Sequence, residues 1–211
     1  MTNKTPHPKT EDINIPKQET SKYANTILAN LNELSSAVYK DAMLHGLWKN
    51  NPSNEHFLMQ TMVEISEAIQ ANTINKRADI SIFKQNIAEN NACQDNIWFD
   101  ILFETDIKNT VQDELADVVL MLLSFCGYRR IYIDNHSVYQ SYARLEYADI
   151  KPQTFEEFCF DLCKLITDGC VIEPIYIVMA YCERNNIDLA WHIEQKMKYN
   201  STRADHNHKK N

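Results

Sequence analysis

Along most of this chain apolar residues recur every three or four positions with polar residues between them, and that period predicts helices. From about 22 to 46, Ile27, Leu31, Leu34, Val38 and Ala42 mark one face, with Gly46 near the end. The cluster Asn50-Asn51-Pro52-Ser53-Asn54 interrupts the pattern and offers helix caps. A second helix is predicted over about 54–72, where Phe57, Leu58, Ile65, Ala68 and Ile69 form the stripe. Residues 73–108 are polar and weakly periodic, with one short helix near 79–89. The clearest pattern follows: Thr110 can cap a helix striped by Val111, Leu115, Val118, Leu122 and Phe125, and Gly127 sits where a C′ residue would. Further helices are predicted over about 136–148, 154–168 and 173–185, the second with a Thr154–Glu157 capping box and Gly169 after its end. A last helix, over about 187–203, carries Leu189, Ile193 and Met197 as its stripe, with capping residues in Asn185-Asn186-Ile187-Asp188. The reading is an all-α helical bundle. It comprises one domain over 21–205 between a flexible tail at 1–20 and a flexible basic tail at 206–211.

Composition narrows the class. Three glycines in 211 residues, against a usual share of about 7%, leave no Gly-rich phosphate loop or dinucleotide fingerprint. The formal charge of −8 argues against nucleic acid as a partner, because such binders present a basic face. The opening Met1-Thr2-Asn3-Lys4-Thr5-Pro6 has no signal-peptide core, and Val118 to Cys126 is too short to span a membrane. The six cysteines form no Cys-x-x-Cys pair, and Cys159 and Cys163 fall within an apolar helical pattern as small core residues. A cytoplasmic, reduced protein with no membrane partner is expected.

Two acidic pairs carry the candidate chemistry: Glu64-Ile65-Ser66-Glu67 in the second helix and Glu114-Leu115-Ala116-Asp117 in the helix from 110. With a helical advance of about 100° per residue, both pairs lie on the same flank of their stripes. Packed through those stripes, the two helices could gather Glu64, Glu67, Glu114 and Asp117. Gathered carboxylates need cations, and an all-oxygen set favours Mg²⁺ or Mn²⁺ over zinc. The alternative is four solvated surface acids. Glu-x-x-His, which a ferritin-like di-iron site requires, does not occur at His45, His56, His136 or His192.

The last helix reverses the local charge. His192, Lys196, Tyr199 and Arg203 form a polar, positively charged ridge suited to phosphate, or else an ordinary solvated helix end. Lys76 and Arg77 are further phosphate candidates, and Trp48 could either stack on a base or pack as a loop aromatic.

Taken in order, Glu64-Ile65-Ser66-Glu67-Ala68, Asp113-Glu114-Leu115-Ala116-Asp117-Val118 and Lys196-Met197-Lys198-Tyr199-Asn200-Ser201-Thr202-Arg203 resemble the MazG-like all-α NTP pyrophosphohydrolases, a superfamily with dimeric dUTPases and dCTP pyrophosphatases. The resemblance covers under a third of the chain, and residues 129–186 stand as a helical insertion with no matching motif. It implies hydrolysis of a nucleoside triphosphate to monophosphate and pyrophosphate, with Mg²⁺, or Mn²⁺, on Glu64, Glu67, Glu114 and Asp117. Glu67 is the candidate base, Lys196 and Arg203 would neutralise phosphate charge, and Tyr199 and Asn200 would add hydrogen bonds. It also implies a homodimer or homotetramer. The competing class is a non-catalytic helical module that binds a nucleotide or a partner protein.

Overall fold

A computed structural model describes residues 30–46, 48–90, 96–133 and 154–208, with 90, 96 and 203–208 as backbone only. Eight α-helices occur among the described residues, and no strand. They are α1 (Leu31–Leu44), α2 (Asn54–Thr73), α3 (Ile80–Asn90), α4 (Asn96–Leu102), α5 (Val111–Arg129), α6 (Phe155–Thr167), α7 (Glu173–Arg184) and α8 (Leu189–His208). The predicted tail at 1–20, the start of the first predicted helix, the helix at 136–148 and residues 209–211 of the predicted basic tail at 206–211 lie outside the described residues. Residues 206–208 of that tail are helical instead. The last helix continues to His208, past the predicted end at 203.

The centre of the bundle is α5. It packs most extensively on α2 and α1, then on α8 and α7. Leu115, Ala116, Val118, Val119, Leu122, Leu123 and Cys126 are all buried, so the helix is apolar over far more than one stripe, as a central helix must be. Helices α6 and α7 bury Phe158, Leu162, Ile175 and Val178 in the same core, so the part of 129–186 that is described packs on the bundle. Cys159 is fully buried there and Cys163 half-buried beside it, in keeping with their reading as core residues.

Local signals hold at most helix ends. Ser53 caps α2 by accepting from the His56 N–H, Thr110 caps α5 through the Asp113 N–H, and Thr154 with Glu157 forms the expected capping box. Gly169 has φ +82° after α6, as a left-handed C-terminal residue should. Gly127 departs from expectation. The helix runs through it to Arg129, and Arg130 takes the left-handed turn at φ 55°. Gly127 is instead a point of close approach: a Cβ there would meet the Tyr39 Cβ at 2.6 Å and the Ser35 carbonyl oxygen at 2.8 Å.

A second, smaller core lies at the side, in the region read as polar. Phe83 of α3, Phe99 of α4, Phe103, Ile107, and Trp191 and Tyr199 of α8 make it. Phe99, Phe103 and Ile107 recur every four residues, a periodic signal diluted by the polar residues around it. Phe103–Ile107 form a π-helical turn, after which Asn109 adopts φ 59° and delivers the chain to the start of α5.

Candidate metal centre

The first turn and a half of α5 faces the middle of α2, which brings their acids together. One carboxylate oxygen from each of Glu64, Glu114 and Asp117 lies within 4.8 Å of the others, close to the about 4.2 Å across a Mg²⁺ octahedron. Glu114 is only 2% exposed, and its Oε2 has no hydrogen-bond partner among the described residues. A buried carboxylate oxygen left without a partner is costly, and a bound cation would satisfy it. Glu67 is exposed and lies outside the group of three, although its charge still raises both Glu64 and Glu114.

Asp113 is the member that the sequence reading did not assign. It is fully buried, with Oδ2 accepting from the Asn109 N–H at 3.0 Å and from Lys196 Nζ at 3.0 Å. Its Oδ1 has no partner. The available signal was its spacing: Asp113 and Asp117 stand i,i+4 and share a helix face. Lys196 Nζ bridges them, 2.5 Å from Asp117 Oδ2.

One ammonium therefore faces Glu64, Asp113, Glu114 and Asp117, and the acids respond. Burial pushes Glu64 up to about 7, with Glu67 and Asp113 adding to it and Lys196 opposing. Burial pushes Glu114 up to about 8, helped by Asp113. Asp117 is also held well above the usual carboxylate range, by burial first and then by Asp113 and Glu64 against the pull of Lys196. Burial works against the Lys196 ammonium, yet Asp117 and Asp113 outweigh it and raise its pKa. Protons or cations must cover the excess negative charge.

The cluster borders a cavity of about 500 Å³ between α1, α5 and α8, a size ordinary for a small-molecule site. Glu64, Asp117 and Lys196 line one part of it. Its apolar walls are Val38, Ala42, Leu120, Met121 and Met197, with polar edges from Asp41, His45, Ser124 and Asn200. His45 ties two walls together: Nε2 lies 2.8 Å from the Asn200 carbonyl oxygen and Nδ1 2.7 Å from that of Asp41.

The proposed substrate residues divide. Lys196 and Asn200 reach the cavity, but the ridge expected on α8 is not a solvated face. His192, Lys196 and Tyr199 are 1%, 8% and 1% exposed, because α8 is wedged between the two cores. Tyr199 stacks on Phe103 and donates to Glu104 Oε1 at 2.5 Å, and it does not line the cavity. The Arg203 side chain lies outside the described residues. Lys76 donates to the Lys108 carbonyl and Arg77 to Asn72 Oδ1, and neither lines the cavity. Trp48 is 4% exposed. It is stacked between Phe57 and Tyr128 and donates Nε1–H to Ser124 Oγ, so its packing role is the one realised.

No known protein family, characterised protein or solved structure matches the chain. Among the described residues no helix is long and apolar enough to cross a membrane.

Proposed function

We propose that this protein is a divalent-metal-dependent nucleoside triphosphate pyrophosphohydrolase, releasing a nucleoside monophosphate and pyrophosphate. One observation carries the reading: three oxygens from Glu64, Glu114 and Asp117 converge, with an unpartnered Glu114 oxygen among buried groups, at the edge of a half-apolar cavity. The motif resemblance to MazG-like enzymes supplies the reaction class. Mg²⁺ or Mn²⁺ on those carboxylates would supply charge neutralisation for a polyphosphate. Lys196 adds a cation on the same side, where it meets phosphate oxygens. The walls of Val38, Leu120 and Met121 take the apolar face of a base or sugar, and Asn200 offers hydrogen bonds. Glu67, exposed and outside the three, keeps a carboxylate free to accept a proton from water. Family members assemble as homodimers or homotetramers, and the same is proposed here.

The experiment is pyrophosphate release from a panel of ordinary and damaged (d)NTPs with Mg²⁺ or Mn²⁺. Release from at least one nucleotide, abolished by Glu114→Gln, is expected. No pyrophosphate from any nucleotide at any metal concentration would end the enzyme reading. Binding without turnover would favour the second reading, a nucleotide-binding module, which draws on Glu67 standing outside the converged carboxylates.

A further inference from the structure

We infer that Lys196 is the resident counter-cation of the carboxylate cluster and must release Asp117 before that carboxylate can ligate a divalent cation. The inference rests on the metal-centre reading above and concerns how that centre is regulated.

Lys196 Nζ lies 2.5 Å from Asp117 Oδ2 and 3.0 Å from Asp113 Oδ2. Asp117 is one of the three converging carboxylates, so the ammonium and a divalent cation compete for it. Two cations on one carboxylate repel each other at such separations. Asp113 is not among the three, and it is fixed by burial and by the Asn109 N–H. It gives Lys196 a second station that metal ligation by the three leaves intact. Lys196 also lines the cavity beside Met197 and Asn200. An ammonium released from Asp117 thus has room to turn toward an anionic ligand, on a flexible four-carbon stem.

Without ligand, the chain's own cation holds the cluster closed. Phosphate oxygens offer Lys196 a replacement partner, so an anionic phosphate ligand and a divalent cation favour each other's binding. This coupling is reciprocal. It selects a polyphosphate that arrives together with its metal over either one alone.

The test is a Mn²⁺ titration of the full chain by calorimetry, in alkaline buffer where protons do not compete for the carboxylates. Wild type is compared with Lys196→Met and with Asp113→Asn/Lys196→Met. The double variant keeps Glu64, Glu114 and Asp117 and avoids leaving Asp113 charged without its partner; a circular dichroism melt checks that it folds. Mn²⁺ alone should bind the variants on the order of tenfold more tightly than wild type. Methylenediphosphonate should then strengthen Mn²⁺ binding to wild type more than to the variants. Equal or weaker Mn²⁺ binding by the folded double variant would make Lys196 a strut that shapes the site, and would overturn the inference alone. No Mn²⁺ binding by any of the three would overturn the metal centre as well.

Discussion

Gly127 of α5 lies against Tyr39 of α1 so closely that a single added methyl would stand 2.6 Å from the Tyr39 Cβ. The nearest obstacles are a Cβ and the Ser35 carbonyl oxygen, neither of which can rotate away. The two helices would have to separate. Helix α1 also supplies Val38 and Ala42 to the cavity, so a shift of α1 would move one of its walls. Gly127→Ala should therefore destabilise the fold by about 1–3 kcal/mol. Urea unfolding measures the loss, and an unchanged midpoint would refute the tight approach.

The carboxylates predict a pH dependence with a defined sign. Glu64 and Glu114 titrate in the folded chain at about 7 and about 8, raised from ordinary values of 4.5. Between those limits the folded metal-free chain holds protons that the unfolded chain has released. Their contribution to stability is complete below the unfolded pKa and is lost as pH rises through the folded values. Ligating a metal requires the same protons to leave. Divalent affinity should accordingly climb as pH rises through about 7 to about 8, with net proton release. Calorimetry in two buffers of different ionisation enthalpy detects those protons; an affinity that is flat with pH would contradict the buried cluster.

Removing one acid should separate stability from chemistry. Glu114→Gln keeps the shape of the side chain while relieving repulsion by Asp113, Glu67 and Glu64. In metal-free alkaline buffer the variant should melt higher than wild type, while binding Mn²⁺ far more weakly. A lower melting temperature would mean that the Glu114 charge stabilises the fold.

His192 titrates in the opposite direction. Burial lowers it to about 3, from an ordinary 6.5, and neither ring nitrogen has a hydrogen-bond partner among the described residues. In acid the unfolded chain takes a proton that the folded chain refuses. The stability held above the unfolded pKa thus declines as pH falls from about 6.5 toward about 3, with a slope of up to about 1.4 kcal/mol per pH unit. His192→Leu should remove that slope and spare two unsatisfied nitrogens, raising neutral stability by about 1–3 kcal/mol. Urea midpoints at neutral and acid pH test both effects, and parallel curves would exclude the first.

Tyr199 distinguishes packing from substrate contact. Its hydroxyl donates to Glu104 and its ring stacks on Phe103. Tyr199→Phe should lower stability by about 1–2 kcal/mol and leave KM for the hydrolysed nucleotide unchanged. A large rise in KM with normal stability would restore the substrate role that the motif resemblance implies.

Much of this protein was determined by its sequence alone. The apolar periods located α2, α5, α6 and α7 to within a few residues, since an amphipathic helix must show one face to the core. Thr110, Ser53 and the Thr154–Glu157 pair marked helix starts because capping is a local hydrogen bond between near neighbours. The equivalent flanks of Glu64 and Glu114 followed from helical geometry, and α2 does pack on α5 with those carboxylates converging.

Only the tertiary structure decided which polar residues are buried, and with whom. Helical periodicity gives each helix its own faces but not the number of neighbours it meets. Between two cores, α8 loses its solvent face, so the ridge of His192, Lys196 and Tyr199 points inward and splits between separate environments. The pairing of Lys196 with Asp113 joins residues 83 positions apart. No local rule connects them; the packing of α8 on α5 does. That contact adds Asp113 and a bridging lysine to the three converging acids, making a cluster with more negative charge than its own cation can neutralise.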